Sequence, residues 1–243
     1  MSNFLFGPLG GPLELYALVS PLAFSPHVWL RFDDQGLADN DPIATAEDLS
    51  GNGNDWTQAA AGSRPTFKAN ILNGHGVARL DGTDDFWSGP DISGLTAAEV
   101  FVVIKIDTDP PAADGQTGLW HLGGGGTTNT HFPFTDGVIY DSFATDTRKT
   151  TVDPTPSLTS FRLYNVVSTA SEWTSFLDGT QLFTTGTNNV QVTSTPTLGR
   201  SKDSTYHIDG DIAEFALFDR KLSAGEKAQI ETYFANRYAL TIA

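Results

Sequence analysis

Gly210-Asp-Ile-Ala-Glu-Phe-Ala-Leu-Phe218 and the residues that follow, Asp219-Arg-Lys-Leu-Ser-Ala-Gly-Glu226, decide the fold. From Ile212 to Phe218 every position but Glu214 is apolar, which predicts a strand inside a packed sheet rather than at its edge. Ser223 and Glu226 stand at the S-x-x-E spacing of a capping box, where hydroxyl and carboxylate each satisfy a backbone N–H that a helix start leaves unpaired. Ile230, Tyr233, Phe234 and Tyr238 then recur every three or four residues, so the chain is expected to end in a short helix docked through one apolar stripe.

Outward from there, the strand signals are many and short. Val100-Phe-Val-Val-Ile-Lys-Ile106 is almost wholly β-branched or aromatic and is expected to be a central strand. His27-Val-Trp-Leu-Arg-Phe32, Val77-Ala-Arg-Leu80, Phe86-Trp87, Leu119-Trp-His-Leu122 and residues 138–143, 161–167, 173–177 and 181–184 read as further strands. Asp178-Gly179, between the last two, is a hairpin signal, because a type I′ turn needs positive φ at both central residues. Short strands with a single late helix predict an all-β antiparallel sandwich. Twenty-four glycines and thirteen prolines over 243 residues agree, and neither repeat nor linker divides the chain.

Fourteen basic against twenty-nine acidic side chains give a formal charge of -15, which argues against nucleic acid and anionic membrane as partners. With no cysteine, disulfides, thiolate nucleophiles and Cys-zinc sites are excluded together. No H-E-x-x-H pair and no G-x-S-x-G elbow occurs, and Gly123 to Gly126 leads into Thr127-Thr-Asn-Thr130 rather than a helix, so it is expected to be a turn or a closely approached loop, not a phosphate cradle. Residues 1–26 are apolar, lack Lys and Arg, and are broken by Pro8, Pro12, Pro21 and Pro26, so they fit neither a signal peptide nor a membrane span. They form either a strap for another subunit, with Phe4, Leu5, Phe6, Leu13, Leu15 and Tyr16 as contacts, or an added layer on residues 27–243.

Several motifs, taken in order, carry a family likeness. Trp29-Leu-Arg-Phe-Asp33, Asp48-Leu-Ser-Gly-Asn-Gly-Asn-Asp55, Arg64-Pro65, Asn73-Gly74, Ala78-Arg-Leu-Asp-Gly-Thr-Asp-Asp-Phe86, Phe176-Leu-Asp-Gly-Thr180, Leu198-Gly-Arg200, Gly210-Asp-Ile-Ala-Glu214 and Leu222-Ser-x-x-Glu226 resemble the concanavalin A-like jelly rolls of the laminin-G-like group of bacteria and their phages. The resemblance spans about Trp29 to Leu240 and implies two curved antiparallel sheets. It leaves activity open, since one scaffold hosts many sites.

Candidate chemistry is sparse. Asp209-Gly-Asp-Ile-Ala-Glu214 looks like a degraded form of the E-x-D-x-x-E strand of laminarinase-type glycosidases, whose retaining mechanism needs two carboxyls about 5 Å apart; the bland alternative is a turn at Asp209-Gly210 and a buried Glu214 paired with an Arg or a Ser. Asp48, Ser50 and Asn52 have the oxygen spacing that opens an EF-hand loop, but Ala59 stands where a bidentate Glu belongs, so calcium competes with plain Asx-turn packing. Asp81, Asp84 and Asp85 form a second oxygen cluster. Trp29, Trp120 and Trp173 sit inside strand patterns and are expected in the core, whereas Trp56 and Trp87 flank turn sequences and are the candidates to stack on a sugar.

A jelly roll without an export signal is reconciled by a non-enzymatic phage or prophage virion surface protein, made in the host cytoplasm. Its arm would hold it to a capsid or tail protein, as one copy of a homo-oligomer. The alternatives are a carbohydrate-binding lectin module and, behind it, a laminarinase-type hydrolase.

Overall fold

The computed structural model describes residues 19–125 and 129–243. The arm contacts Phe4, Leu5, Phe6, Leu13, Leu15 and Tyr16, like Gly126, lie outside the described residues. Fifteen strands run in chain order as β1 (Val28–Arg31), β2 (Thr45–Ala46), β3 (Trp56–Thr57), β4 (Thr66–Leu72), β5 (His75–Asp81), β6 (Trp87–Ser88), β7 (Ala98–Ile106) and β8 (Trp120–Gly123). After these come β9 (Tyr140–Asp141), β10 (Lys149–Thr150), β11 (Arg162–Thr169), β12 (Glu172–Leu177), β13 (Thr180–Thr185), β14 (Val192–Leu198), β15 (Asp209–Phe218) and the helix α1 (Ala224–Tyr238).

They form an all-β sandwich with one C-terminal helix. The larger sheet is ordered β13-β12-β11-β7-β15-β5-β4 with β1 also on β15, and the smaller is ordered β2-β3-β6-β14-β8. All pairings are antiparallel, and β9 and β10 make a separate two-stranded ribbon. The core lies between the sheets, where Trp56, Trp87, Trp120 and Trp173 pack with Phe215 and Leu217. A second apolar layer forms behind the larger sheet, where Phe101, Val103, Ala216 and Phe218 meet Ile230, Tyr233, Phe234 and Tyr238 of α1.

The decisive stretch behaves as its residues predict. β15 lies between β7 on one edge and β5 and β1 on the other, and β7 is interior too. The capping box is present, with Glu226 N–H donating to Ser223 Oγ at 3.3 Å and Ser223 N–H to Glu226 Oε2 at 2.8 Å. Asp178 and Gly179 have φ of 49° and 78° and join β12 to β13 as a type I′ turn. Gly123 and Gly125 are closely approached: an added Cβ would lie 2.0 Å from Ser142 O and 2.1 Å from Asp146 O. Among the described residues no helix is long and apolar enough to cross a membrane.

A bulge between Ile212 and Glu214 shifts the phase of β15. Ile212 and Phe215 point into the sandwich, while Ala213 and Ala216 join the layer under α1. Glu214 is thereby aimed at the helix instead of the core.

Candidate functional site

The three acids of the glycosidase-like motif all serve the scaffold. Glu214 is fully buried beneath α1 and accepts hydrogen bonds from Trp29 Nε1 at 2.5 Å, Tyr233 OH at 3.0 Å and Tyr238 OH at 2.7 Å, with Arg237 Nε 3.7 Å away. Burial raises its pKa, and the hydrogen bonds of Tyr238 and Trp29 oppose the rise. Asp211 is clasped by Arg79 Nε and Nη2 at 2.7 and 2.9 Å and by Lys105 Nζ at 3.2 Å. Asp209, at the start of the strand, accepts from Gln116 Nε2 at 3.2 Å. None of the three lines either of the clefts described below. The bland alternative holds for Glu214, with an indole and two phenols as its principal partners and Arg237 farther off.

The loop of Asp48, Ser50 and Asn52 is closed by hydrogen bonds of its own. Asp48 Oδ1 accepts from the N–H groups of Trp29 and Ser50, and Oδ2 from Ser50 Oγ and Asn54 N–H, at 2.6 to 3.0 Å. These are the bonds of an Asx turn, in which a side-chain carboxylate satisfies the backbone N–H groups that follow it. Asn52 and Asn54 spend their amides on the carbonyls of Pro26 and His27, tying the loop to the entry of β1. A polar cleft of about 530 Å³ opens there between Ser50, Asn52, Asn54, His27, Leu22 and Asp219. Its lining offers no aromatic plane besides the His27 ring. The second oxygen cluster does assemble: Asp81, Asp84 and Asp85 bring ligand oxygens within 4.8 Å of one another and could hold a divalent cation with further oxygens. Burial, then the charges of Asp81 and Asp84, push the Asp85 pKa up to about 7.

The expected exposure of Trp56 and Trp87 is corrected. Both are 0% exposed, in the core with Trp29, Trp120 and Trp173, and Trp87 Nε1 donates to Ile43 O at 3.0 Å. The reason is the pleat. Each Trp of the smaller sheet is followed by a polar residue, in Trp56-Thr57, Trp87-Ser88 and Trp120-His121, and alternation sends the indole inward and its neighbour outward. The outward residues stand in register as Thr45, Thr57, Ser88, Thr197 and His121, one per strand across the whole sheet.

At the β8 end of this sheet lies an aromatic cup that the spacing of residues does not announce. His131, Phe134, Tyr140 and Arg148 line a cavity of about 130 Å³. His131 is the floor, with Phe134 and Tyr206 rings each 4.9 Å from it and Tyr140 6.3 Å away. Phe134 and Tyr140 stand edge to face at 6.0 Å and are only half-buried. Bridges from His131 to Gly118 and to Tyr140 fix the floor, and Thr117 Oγ1 lies 2.7 Å from its Nδ1. Burial, then the charge of Arg148, holds the His131 pKa down at about 4, so the floor is a neutral ring at physiological pH.

Polar groups surround the rim. Exposed Arg148 lies over the Tyr140 ring at 4.8 Å, and Tyr140 OH donates to Asp136 Oδ2 at 2.8 Å. The cup thus has apolar planes inside and hydrogen-bond donors and acceptors outside. The one sequence hint was His131-Phe-Pro-Phe134, an aromatic bunch between turns; Tyr140, Arg148 and Tyr206 join it only through the fold.

No protein-family model matches this sequence, and no curated protein matches it. Solved structures do. The chain is similar to a sialidase of Trypanosoma rangeli in complex with 2,3-difluoro-KDN, with TM-score 0.61 at 11% identity over 88% of this chain and 33% of that one. It is similar to domain 4 of AbnA, a GH43 extracellular arabinanase from Geobacillus stearothermophilus in complex with arabinotriose, with TM-score 0.58 at 12% identity over 86% of this chain and 98% of that one. A third is the binding domain of botulinum neurotoxin serotype D, with TM-score 0.62 at 14% identity over 90% and 53%. The chain spans about a third of the sialidase's length. At such identities the likeness is one of fold: a β-sandwich of the jelly-roll kind, shared with domains of enzymes and toxins.

Proposed function

We propose that this chain is a non-catalytic carbohydrate-binding domain of the concanavalin A-like, laminin-G-like kind, which takes a sugar ring in the cup of His131, Phe134 and Tyr140. The observation that carries the reading is the cup itself: half-exposed rings for the apolar C–H face of a sugar, beside Arg148, Asp136 and the Tyr140 hydroxyl for its oxygens. The arabinanase domain solved with arabinotriose supports it as a precedent for this fold. The non-catalytic half rests on Asp211 and Glu214, whose oxygens are spent on internal partners.

A glycan array followed by calorimetry on the best ligand tests the proposal. Phe134→Ala is expected to weaken binding by about 2 kcal/mol, roughly thirtyfold, as the loss of an aromatic anchor does. Equal binding by Phe134→Ala, or no binding by the unaltered chain, refutes it. Hydrolysis of a β-glucan that disappears in Glu214→Gln would restore the glycosidase alternative.

The finer reading, a phage virion surface protein held to a capsid or tail protein as a homo-oligomer, is supported by the apolar composition of residues 1–26. Its test is cosedimentation of the full chain with phage particles, and loss of that cosedimentation when residues 1–18 are deleted.

A further inference from the structure

Arg200, like Arg148, lies over an aromatic ring rather than beside a carboxylate. At least eight of the fourteen Lys and Arg side chains sit in ion pairs, as an acidic chain readily allows. Arg200 forms no ion pair with any carboxylate among the described residues, and its Nε is buried without a hydrogen-bond partner. Its guanidinium carbon instead lies over Phe86, 3.7 Å from the ring centroid. Burial lowers its pKa with no neighbouring acid to offset it. A half-buried, unpaired guanidinium costs free energy that a partner anion would recover.

The surroundings are organised around it. Arg200 bridges to His207, and its carbonyl accepts from Thr197 Oγ1 at 2.7 Å. Thr197 belongs to the outward polar row and pairs with Ser88 on one side and His121 on the other. Burial, then Lys202 and, more weakly, Arg200 lower the His121 pKa, and burial with Arg200 lowers that of His207 against the opposing charges of Asp84 and Asp81. Residues 201–206 link this spot to the cup, since Tyr206 packs on His131.

We propose that Arg200 receives the carboxylate of an acidic saccharide, its planar fork of N–H donors matching the two oxygens of a uronic acid. This rests on the carbohydrate reading above and names the class of sugar. Contact with the Phe86 ring holds the guanidinium in place before the ligand arrives. The hydroxyls of Ser88, Thr57 and Thr45 continue across the sheet from Thr197 and offer hydrogen bonds to the neutral part of the chain. Phosphate-rich polymers do not share this fit, because a net charge of -15 repels a dense polyanion.

The test uses the full chain labelled with ¹⁵N, with the Nε–H resonance of Arg200 identified by its loss in Arg200→Gln. Glucuronate, glucose and sulfate are titrated in turn, and affinities are measured for a uronic-acid oligosaccharide and its carboxyl-reduced form. Glucuronate is expected to move the Arg200 resonance, glucose to leave it in place, and sulfate to move it less. Arg200→Gln should lose about tenfold or more in affinity for the acidic oligosaccharide, with the neutral one unchanged and Arg200→Lys between. No response to glucuronate, an equal response to sulfate, or a preference for the acidic form that survives Arg200→Gln overturns the inference. Phe134→Ala separates the two readings. If it weakens neither oligosaccharide while Arg200 still responds to glucuronate, the cup is wrong and Arg200 stands; if both weaken equally and Arg200 is silent, the reverse holds.

Discussion

The two outer faces of the sandwich treat polar groups in opposite ways. Behind the larger sheet, Glu214 has an indole and two phenols, Asp211 has Arg79 and Lys105, and Glu99 takes Asn165 Nδ2 at 3.1 Å and Leu222 N–H at 2.7 Å, all under or beside α1. On the smaller sheet a row of hydroxyls, an unpaired Arg200 and an open aromatic cup face outward. Removing a charge from water is costly, and the helix face meets that cost with internal partners. On the other face Thr45, Thr57 and Ser88 point their hydroxyls into solvent, where a ligand can reach them. The difference teaches that the acid motif most like an active site is scaffolding, and that residues with no motif at all form the candidate site.

The sharpest way to break this comparison is Glu214→Ala. It strands the Trp29 indole N–H and two phenolic hydroxyls, while Arg237 keeps its ion pair with Asp33, so stability should fall by about 3 kcal/mol. Denaturant unfolding measures it, and a loss under 1 kcal/mol would mean the network is ornamental. Glycan affinity of the folded fraction should not change. The reciprocal variant, Phe134→Ala, should leave stability nearly intact while binding collapses, because that ring is already half-exposed.

What was legible in the sequence follows the length and locality of each signal. β15, β7, the capping box and the stripe of α1 rest on contiguous residues, and so does the Asp178-Gly179 turn. By contrast β2, β3 and β10 have two residues each, too few for any period to register, β6 and β9 are shorter than or offset from the stretches read at 86–87 and 138–143, and β14 carries Pro196, which reads as a breaker. Asn70, in the left-handed region at φ 56°, interrupts β4 in the same way. Turn residues beside Trp56 and Trp87 suggested exposure, when the informative feature was the polar residue after each indole. The bulge at Ile212 and Glu214 is invisible to a strict two-residue alternation, and it alone decides which face the glutamate takes. The cup gathers residues from 131 to 206, a juxtaposition that no local pattern encodes.

A smaller effect is expected at the helix start. Ser223→Ala removes the hydroxyl that accepts Glu226 N–H and should cost about 1 kcal/mol. Arg220 holds Glu226 through two hydrogen bonds and, with Ser223, keeps its pKa down at about 2, so the rest of the cap persists across ordinary pH. Because α1 closes over Glu214, the loss should appear in stability and leave the sugar-binding face untouched; a change in glycan affinity would show that the two faces are coupled.

The smallest effect sharpens the comparison from the side of the acidic cluster. In the folded chain Asp85 keeps its proton up to about pH 7, whereas an unfolded aspartate releases it near 3.9. Between those values the folded state binds more protons, so this group favours folding fully below about pH 4 and progressively loses that contribution as pH rises toward 7. Asp81 is exposed, and water there screens the repulsion, which keeps the slope shallow. Asp85→Asn, measured by thermal unfolding in the presence of a chelator, should flatten the decline in stability between pH 4 and 7. An unchanged slope would mean that burial and the neighbouring carboxylates do not hold the proton on Asp85 in the folded chain.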